Sequence, residues 1–171
     1  MKNIVLIGMP GAGKSTIGVV IAKILGYNFI DSDLLIQARE GDILENLIMK
    51  NGIQGFIDIE DQVNSQISAE RSVIATGGSV CYCDEAMRHL KDIGLVIYLK
   101  LDCRTICRRL GDLNARGVVI KKGKTVRDLY EERTPLYEKY ADLTVDLTGC
   151  TITRSIEVMK DILAENRSLL E

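Results

Sequence analysis

The chain has 171 residues, 46% apolar and 27% charged, with a net charge of −2. That length suits one domain with a proper core, and the composition is globular rather than disordered. The near-neutral balance supplies no field for nucleic acid or an anionic membrane, and no apolar stretch approaches a membrane span.

The first strand is expected over Lys2–Ile7. It runs into Gly8-Met9-Pro10-Gly11-Ala12-Gly13-Lys14-Ser15, followed by a helix over Lys14–Leu25 that Gly26 closes. This is the spacing G-x-x-x-x-G-K-[ST] in strand–loop–helix context, a P-loop. Its glycines let backbone amides turn inward around phosphates, where a side chain would block the approach. The helix N-terminus adds positive dipole at the same point. Nucleotide binding is therefore assigned to Gly11, Ala12, Gly13, Lys14, Ser15 and Thr16, with Lys14 at the terminal phosphates and Ser15 on magnesium.

Tyr27–Asp31 is expected as a second strand, ending in Asp31-Ser32-Asp33. In an open parallel sheet, ligands lie beyond the carboxyl ends of strands, so these acids face the crevice of the P-loop. One carboxylate can support magnesium through water while the other accepts a hydrogen bond from an acceptor alcohol. Capping of the next helix is the alternative for Asp33. Helical spacing follows over Asp33–Arg39, Ile43–Asn51 and Ile53–Ala69, with Gly41, Gly52 and Gly55 as weak points.

Ser72–Thr76 is a β-branched strand closed by Gly77-Gly78, a turn that serves either a substrate lying against backbone amides or packing alone. Helix Glu85–Lys91, the apolar strand Leu95–Leu101 and helix Arg104–Leu110 come next. Gly111–Lys124 has little periodicity and four basic residues, and reads as a lid in which Arg116 can close over a transferring phosphoryl group. Val126–Tyr140 is a long helix interrupted or bent near Pro135, and it carries Arg133, a candidate for bidentate contact with a carboxylate. Strand Leu143–Asp146 and an amphipathic helix Thr153–Leu170 close the chain.

Apolar strands alternating with helices indicate an α/β fold, a three-layer α/β/α sandwich on a five-stranded parallel sheet. The five cysteines have no framework spacing and suit reduced thiols in a cytoplasm. Cys81-x-Cys83 lacks zinc-knuckle spacing, and Cys103 and Cys107 read as small, partly buried apolar side chains. His89 reads as a surface or satisfied structural residue rather than a catalyst. The N-terminus starts on a strand and lacks a signal-peptide pattern.

Together, Gly8–Thr16, Phe29-Ile30-Asp31-Ser32-Asp33, Phe56 with Glu60, Ala75-Thr76-Gly77-Gly78, Arg116 and Arg133-Thr134-Pro135-Leu136-Tyr137 resemble the shikimate kinases. These belong to the nucleoside-monophosphate-kinase-like P-loop group, and the likeness covers nearly the whole chain. It implies a single P-loop kinase domain over residues 1–171, with substrate-binding helices about 33–70 and a lid about 111–124. It implies transfer of the γ-phosphoryl of ATP to the 3-hydroxyl of shikimate, in aromatic amino acid biosynthesis, by a cytoplasmic monomer without nucleic-acid or membrane partners. In that likeness Ser15 ligands Mg2+ directly and Asp31 through water. Asp33 orients or deprotonates the acceptor hydroxyl, and Gly77, Gly78 and Arg133 bind the substrate. Lys14 and Arg116 stabilise phosphate charge, and Arg109 packs on adenine.

Two positions depart from the family pattern. Ile57 stands where an arginine is usual, and Ser79 where a third glycine is usual. Helical spacing turns position 57 toward Glu60, so its usual cation is missing unless Lys50 or Arg39 reaches in. The alternatives are a kinase for a different small hydroxylated metabolite, or a nucleotide-binding regulator without transfer activity.

Overall fold

The computed structural model describes residues 2–111 and 118–171. Five strands form one sheet in the order β2-β3-β1-β4-β5: β1 Asn3–Ile7, β2 Asn28–Asp31, β3 Ser72–Ala75, β4 Gly94–Lys100 and β5 Leu143–Asp146. Every pairing is parallel, with Val5 in register with Ile74 on one side and Val96 on the other. All five residues of β1 are buried, as are the first six of β4. A strand covered on both faces gains nothing from polar alternation, which is why these runs are continuously apolar.

Seven helices accompany the sheet among the described residues: α1 Lys14–Leu25, α2 Ser32–Glu40, α3 Leu44–Ser65, α4 Asp84–Ile93, α5 Cys103–Leu110, α6 Val126–Tyr140 and α7 Ile152–Glu165. Their starts are chemically marked. The Asp31 carboxylate caps α2, Asp102 accepts from the Thr105 amide at 3.0 Å to cap α5, and Thr125 with Asp128 forms a reciprocal capping box on α6. Each such cap contributes about 1 kcal/mol by satisfying amides that the helix leaves unpaired.

Three expectations are corrected in detail. The two helices expected either side of Gly52 form one element, kinked at Gly52 (φ 70°, ψ 177°), which ends at Ser65 rather than Ala69. Helix α6 continues through Pro135 without interruption, and α7 ends at Glu165 before a separate 3-10 turn over Arg167–Leu169. Pro135 removes one amide but leaves its neighbours helical, because Tyr137 and Tyr140 on the same helix are anchored in the core.

The main core surrounds the sheet, and a smaller one joins Ile36, Leu47, Phe56, Val63 and Val119 beneath α2 and α3. Burying each such side chain stabilises by about 1.5–3 kcal/mol. The second cluster fixes α2 and α3 over the carboxyl ends of β2 and β3, and so shapes one wall of the cavity described next.

Candidate active site

A cavity of about 300 Å³ opens at the carboxyl ends of β1, β2 and β3. Gly11, Gly13, Lys14, Ser15 and Thr16 of the P-loop line it together with Asp33, Gly77, Gly78, Ser79 and Arg133. Phe56, Val118 and Val119 supply apolar walls. The sequence therefore brings its nucleotide motif and its proposed acceptor residues to one place.

The P-loop end is built by backbone conformation. Gly13 caps α1 at φ 95°, a left-handed geometry that other residues adopt only with strain. Lys14 is buried, and its ammonium donates to the Gly8 carbonyl at 2.8 Å and the Met9 carbonyl at 3.0 Å. An ammonium has three donors, so one remains for a phosphate oxygen. Burial lowers the Lys14 pKa to about 8, with Asp33 opposing and Arg133 assisting the fall. The amine thus keeps its charge at neutral pH while being weakly solvated.

Ser15 donates its hydroxyl to Asp31 Oδ2 at 2.6 Å, and the other oxygen of Asp31 accepts from the Asp33 amide at 3.0 Å. The helix-capping role considered for Asp33 belongs to Asp31. That frees the Asp33 carboxyl, which lines the cavity and is raised to about 6 by burial, with Lys14 opposing. The all-oxygen pair of Ser15 and Asp31 beside a phosphate loop suits a hard divalent cation. Among the described residues no three His, Cys, Asp or Glu side chains gather as a metal cage. Magnesium bound with nucleotide takes most of its ligands from phosphates and water, so such a sparse pair fits it.

The wall facing the P-loop rests on Gly77 and Gly78. A Cβ on Gly77 would run into Glu60 Oε1 and stand 2.8 Å from Asp33 Oδ1; one on Gly78 would lie 2.6 Å from Pro10. Only a bare backbone fits between the P-loop and the two acids. The turn is held from both sides: the Gly77 amide donates to Ser32 Oγ at 3.3 Å, and the buried Tyr137 hydroxyl donates to the Gly78 carbonyl. Tyr137 also stacks on Tyr98 of β4 with ring centroids 5.1 Å apart.

Arg133 is 1% exposed, donates to the Val119 carbonyl at 2.6 Å, and lays its guanidinium 5.2 Å from the Tyr82 ring centre. Its Nε donates to the Tyr82 hydroxyl at 3.4 Å, and the side chain lines the cavity. Arg109 donates to the Gly11 carbonyl at 2.9 Å, and so touches the P-loop, while Arg108 is exposed. Arg116 lies outside the described residues.

Ile57 does not line the cavity of Asp33 and Arg133. It lines a neighbouring cleft with Tyr82, Val119, Lys121, Lys124 and Glu132. Neither proposed substitute cation reaches in: Lys50 pairs with Asp42, while Arg39 meets Gln62 at 2.6 Å and Glu40 at 3.5 Å. Ser79 and Tyr137 are placed in or against the site although sequence reasoning gave them no role. A hydroxyl directly after a Gly-Gly turn was the available signal for Ser79.

A five-stranded parallel sheet with β1 between β3 and β4, its P-loop facing an acid, an arginine and a glycine turn, defines a P-loop small-molecule kinase. Comparison with known proteins narrows this class. The shikimate kinase family matches residues 10–165. Shikimate kinase of Thermodesulfovibrio yellowstonii is 38% identical over 172 residues, covering 99% of this chain and 97% of the relative. The solved shikimate kinase of Acinetobacter baumannii, in complex with shikimate, superimposes with a TM-score of 0.86 at 30% identity, covering 100% of this chain and 96% of the other. Deoxyadenosine kinase of M. mycoides, at 18% identity and a TM-score of 0.62, shares the fold. The chain belongs to the shikimate kinase family, and is a phosphotransferase acting on a small molecule.

Proposed function

We propose that the protein transfers the γ-phosphoryl group of ATP to the 3-hydroxyl of shikimate, with Mg2+ held by Ser15 and, through water, by Asp31. One observation carries this reading: Lys14, Asp33 and Arg133 line a single cavity together with the phosphate loop and the Gly77–Gly78 turn. Asp33 accepts a hydrogen bond from the attacking hydroxyl and orients its oxygen toward the phosphorus. With its pKa raised to about 6, the carboxylate is ionised at neutral pH yet basic enough to take the proton as the new bond forms.

Lys14 places its free donor where charge develops on the transferring group. Magnesium, when bound, neutralises charge on the phosphate oxygens and aligns them. Gly77 and Gly78 let the sugar-like ring of the acceptor approach backbone, and Arg133 holds its carboxylate. Arg116 completes the phosphate clamp from the lid. Positioning and charge account for the rate, because phosphoryl transfer asks for little covalent help. Residues 1–171 act here as one kinase domain, monomeric and cytoplasmic, with α2 and α3 as its acceptor-binding part.

The test is ADP release with Mg2+ and ATP against a panel of shikimate, shikimate methyl ester and unrelated hydroxy acids. Shikimate should be turned over and the ester should suffer mainly in KM. Equal use of ester and acid would remove Arg133 from its role, and preference for another hydroxy acid would favour a different acceptor. That second reading has its own support in Ile57, which puts an apolar side chain in the cleft that shares Val119 with the cavity.

A further inference from the structure

Glu60 is the buried acid that the transfer step leaves unused. It is fully buried in the middle of α3. Ser79 donates its hydroxyl to Oε2, while Oε1 has no hydrogen-bond partner among the described residues. A Cβ on Gly77 would collide with that free oxygen and crowd Asp33 Oδ1 as well. Both acids therefore converge on the bare face of Gly77, in the turn that lines the cavity. Buried polar atoms ordinarily find partners, so an unpartnered oxygen beside a binding turn points to a ligand.

We propose that Ser79 is a positioning residue for acceptor recognition: its hydroxyl fixes Glu60 Oε2 so that Oε1 meets an oxygen of the acceptor at the Gly77–Gly78 turn. This rests on the reading of that turn as the acceptor site. Protonated Glu60 donates from Oε1 to the acceptor. Ionised Glu60 sets a second negative charge beside Asp33 and repels an anionic acceptor. The other groups facing it are Lys14 at the start of α1, Arg133 on α6, and the thiols of Cys81 and Cys83 in the turn after β3. Burial raises Glu60 to about 7; the Ser79 bond opposes the rise, Asp33 adds to it, and Arg133 and Lys14 oppose it. The carboxyl thus changes charge in the neutral range, and acceptor binding weakens as it does.

The experiment measures KM and kcat for shikimate from pH 5.5 to 8.5 in wild type, Ser79→Ala, Ser79→Thr and Glu60→Gln. In parallel, the Glu60 carboxyl is titrated by carbon NMR in the substrate-free protein. The wild-type shikimate KM should rise about tenfold as Glu60 ionises, and the profile should lose this step in Glu60→Gln. Ser79→Ala should raise KM about threefold to tenfold on the acid side, by loss of one hydrogen bond. It should also move both the KM inflection and the NMR titration to higher pH, because the lost bond favours the ionised form. Ser79→Thr should restore both, with KM for ATP unchanged throughout. A Glu60 titration that Ser79→Ala leaves in place overturns the proposal, whether or not shikimate is turned over. Wild-type turnover of shikimate with no step in KM also overturns it, and leaves the shikimate reading standing. Absence of turnover removes that reading, while the NMR titration still judges the Ser79–Glu60 pair.

Discussion

Replacing Gly77 by alanine adds one methyl group at the point where the account is most constrained. The new Cβ would overlap Glu60 Oε1 and lie 2.8 Å from Asp33 Oδ1, so at least one acid must move. Glu60 is fully buried and tied to Ser79, which leaves Asp33, on the short helix α2, as the group that yields more easily. Overpacking of this kind costs about 1–3 kcal/mol of stability, a fall of about 3–10 °C in Tm for a chain of this size. A displacement of about 1 Å in a group that orients the nucleophile lowers the rate about a hundredfold. Steady-state kinetics with both substrates, beside thermal unfolding and ATP titration, would separate these effects. The expected result is a folded variant with near-normal ATP affinity and kcat/KM for the acceptor reduced about a hundredfold. Wild-type kcat/KM in a variant with normal Tm would refute the convergence of Asp33 and Glu60 on this glycine.

Lys14→Met should keep the fold and lower kcat at least about a hundredfold, since it removes a donor aimed at developing charge; single-turnover phosphoryl transfer reads it. Glu60→Gln should change how stability depends on pH. The folded-state pKa of Glu60, about 7, lies above its ordinary value of 4.5, so its contribution is fully present below pH 4.5 and lost as pH rises through about 7. Urea unfolding should therefore show the glutamine variant gaining about 2–3 kcal/mol on wild type between pH 5 and pH 8, and parallel curves would contradict the buried, unpaired acid. Ile57→Arg adds a long cationic side chain in the cleft that shares Val119 with the cavity, and should lower the acceptor KM about tenfold, or about 1.4 kcal/mol. An unchanged KM and unchanged acceptor preference would show that position 57 does not set specificity.

The fold was legible because its signals were local and repeated. The continuous apolar runs of β1 and β4 could only be strands buried on both faces, and Gly26, Gly41 and Gly52 punctuate the helices where the backbone needs them. The nucleotide end was equally plain, since eight consecutive residues carry it. The proposed acceptor side of the cavity was legible only in part, because its residues come from α2, the turn after β3, and α6, and their meeting is a matter of topology. Asp33 and Arg133 line one cavity, helix capping falls to Asp31, and Ile57 opens on a neighbouring cleft rather than on that cavity. Ser79 and Tyr137 stand out in sequence only as a departure from the family pattern and as the end of a motif, and their roles are not legible there for a physical reason. A serine and a tyrosine are ordinary in sequence, and acquire roles only through partners 19 and 59 residues away.

The central claim is that one cavity joins the phosphate loop to the hydroxyl oriented by Asp33. Phosphorus and proton NMR of the products formed from Mg2+, ATP and shikimate test it most directly, with Asp33→Asn as the comparison. ADP and shikimate 3-phosphate are expected in equal amounts with wild type, with a loss of at least about a hundredfold in rate with the asparagine variant. Phosphate on another hydroxyl, an asparagine variant as fast as wild type, or no product from a folded protein that binds ATP would contradict it.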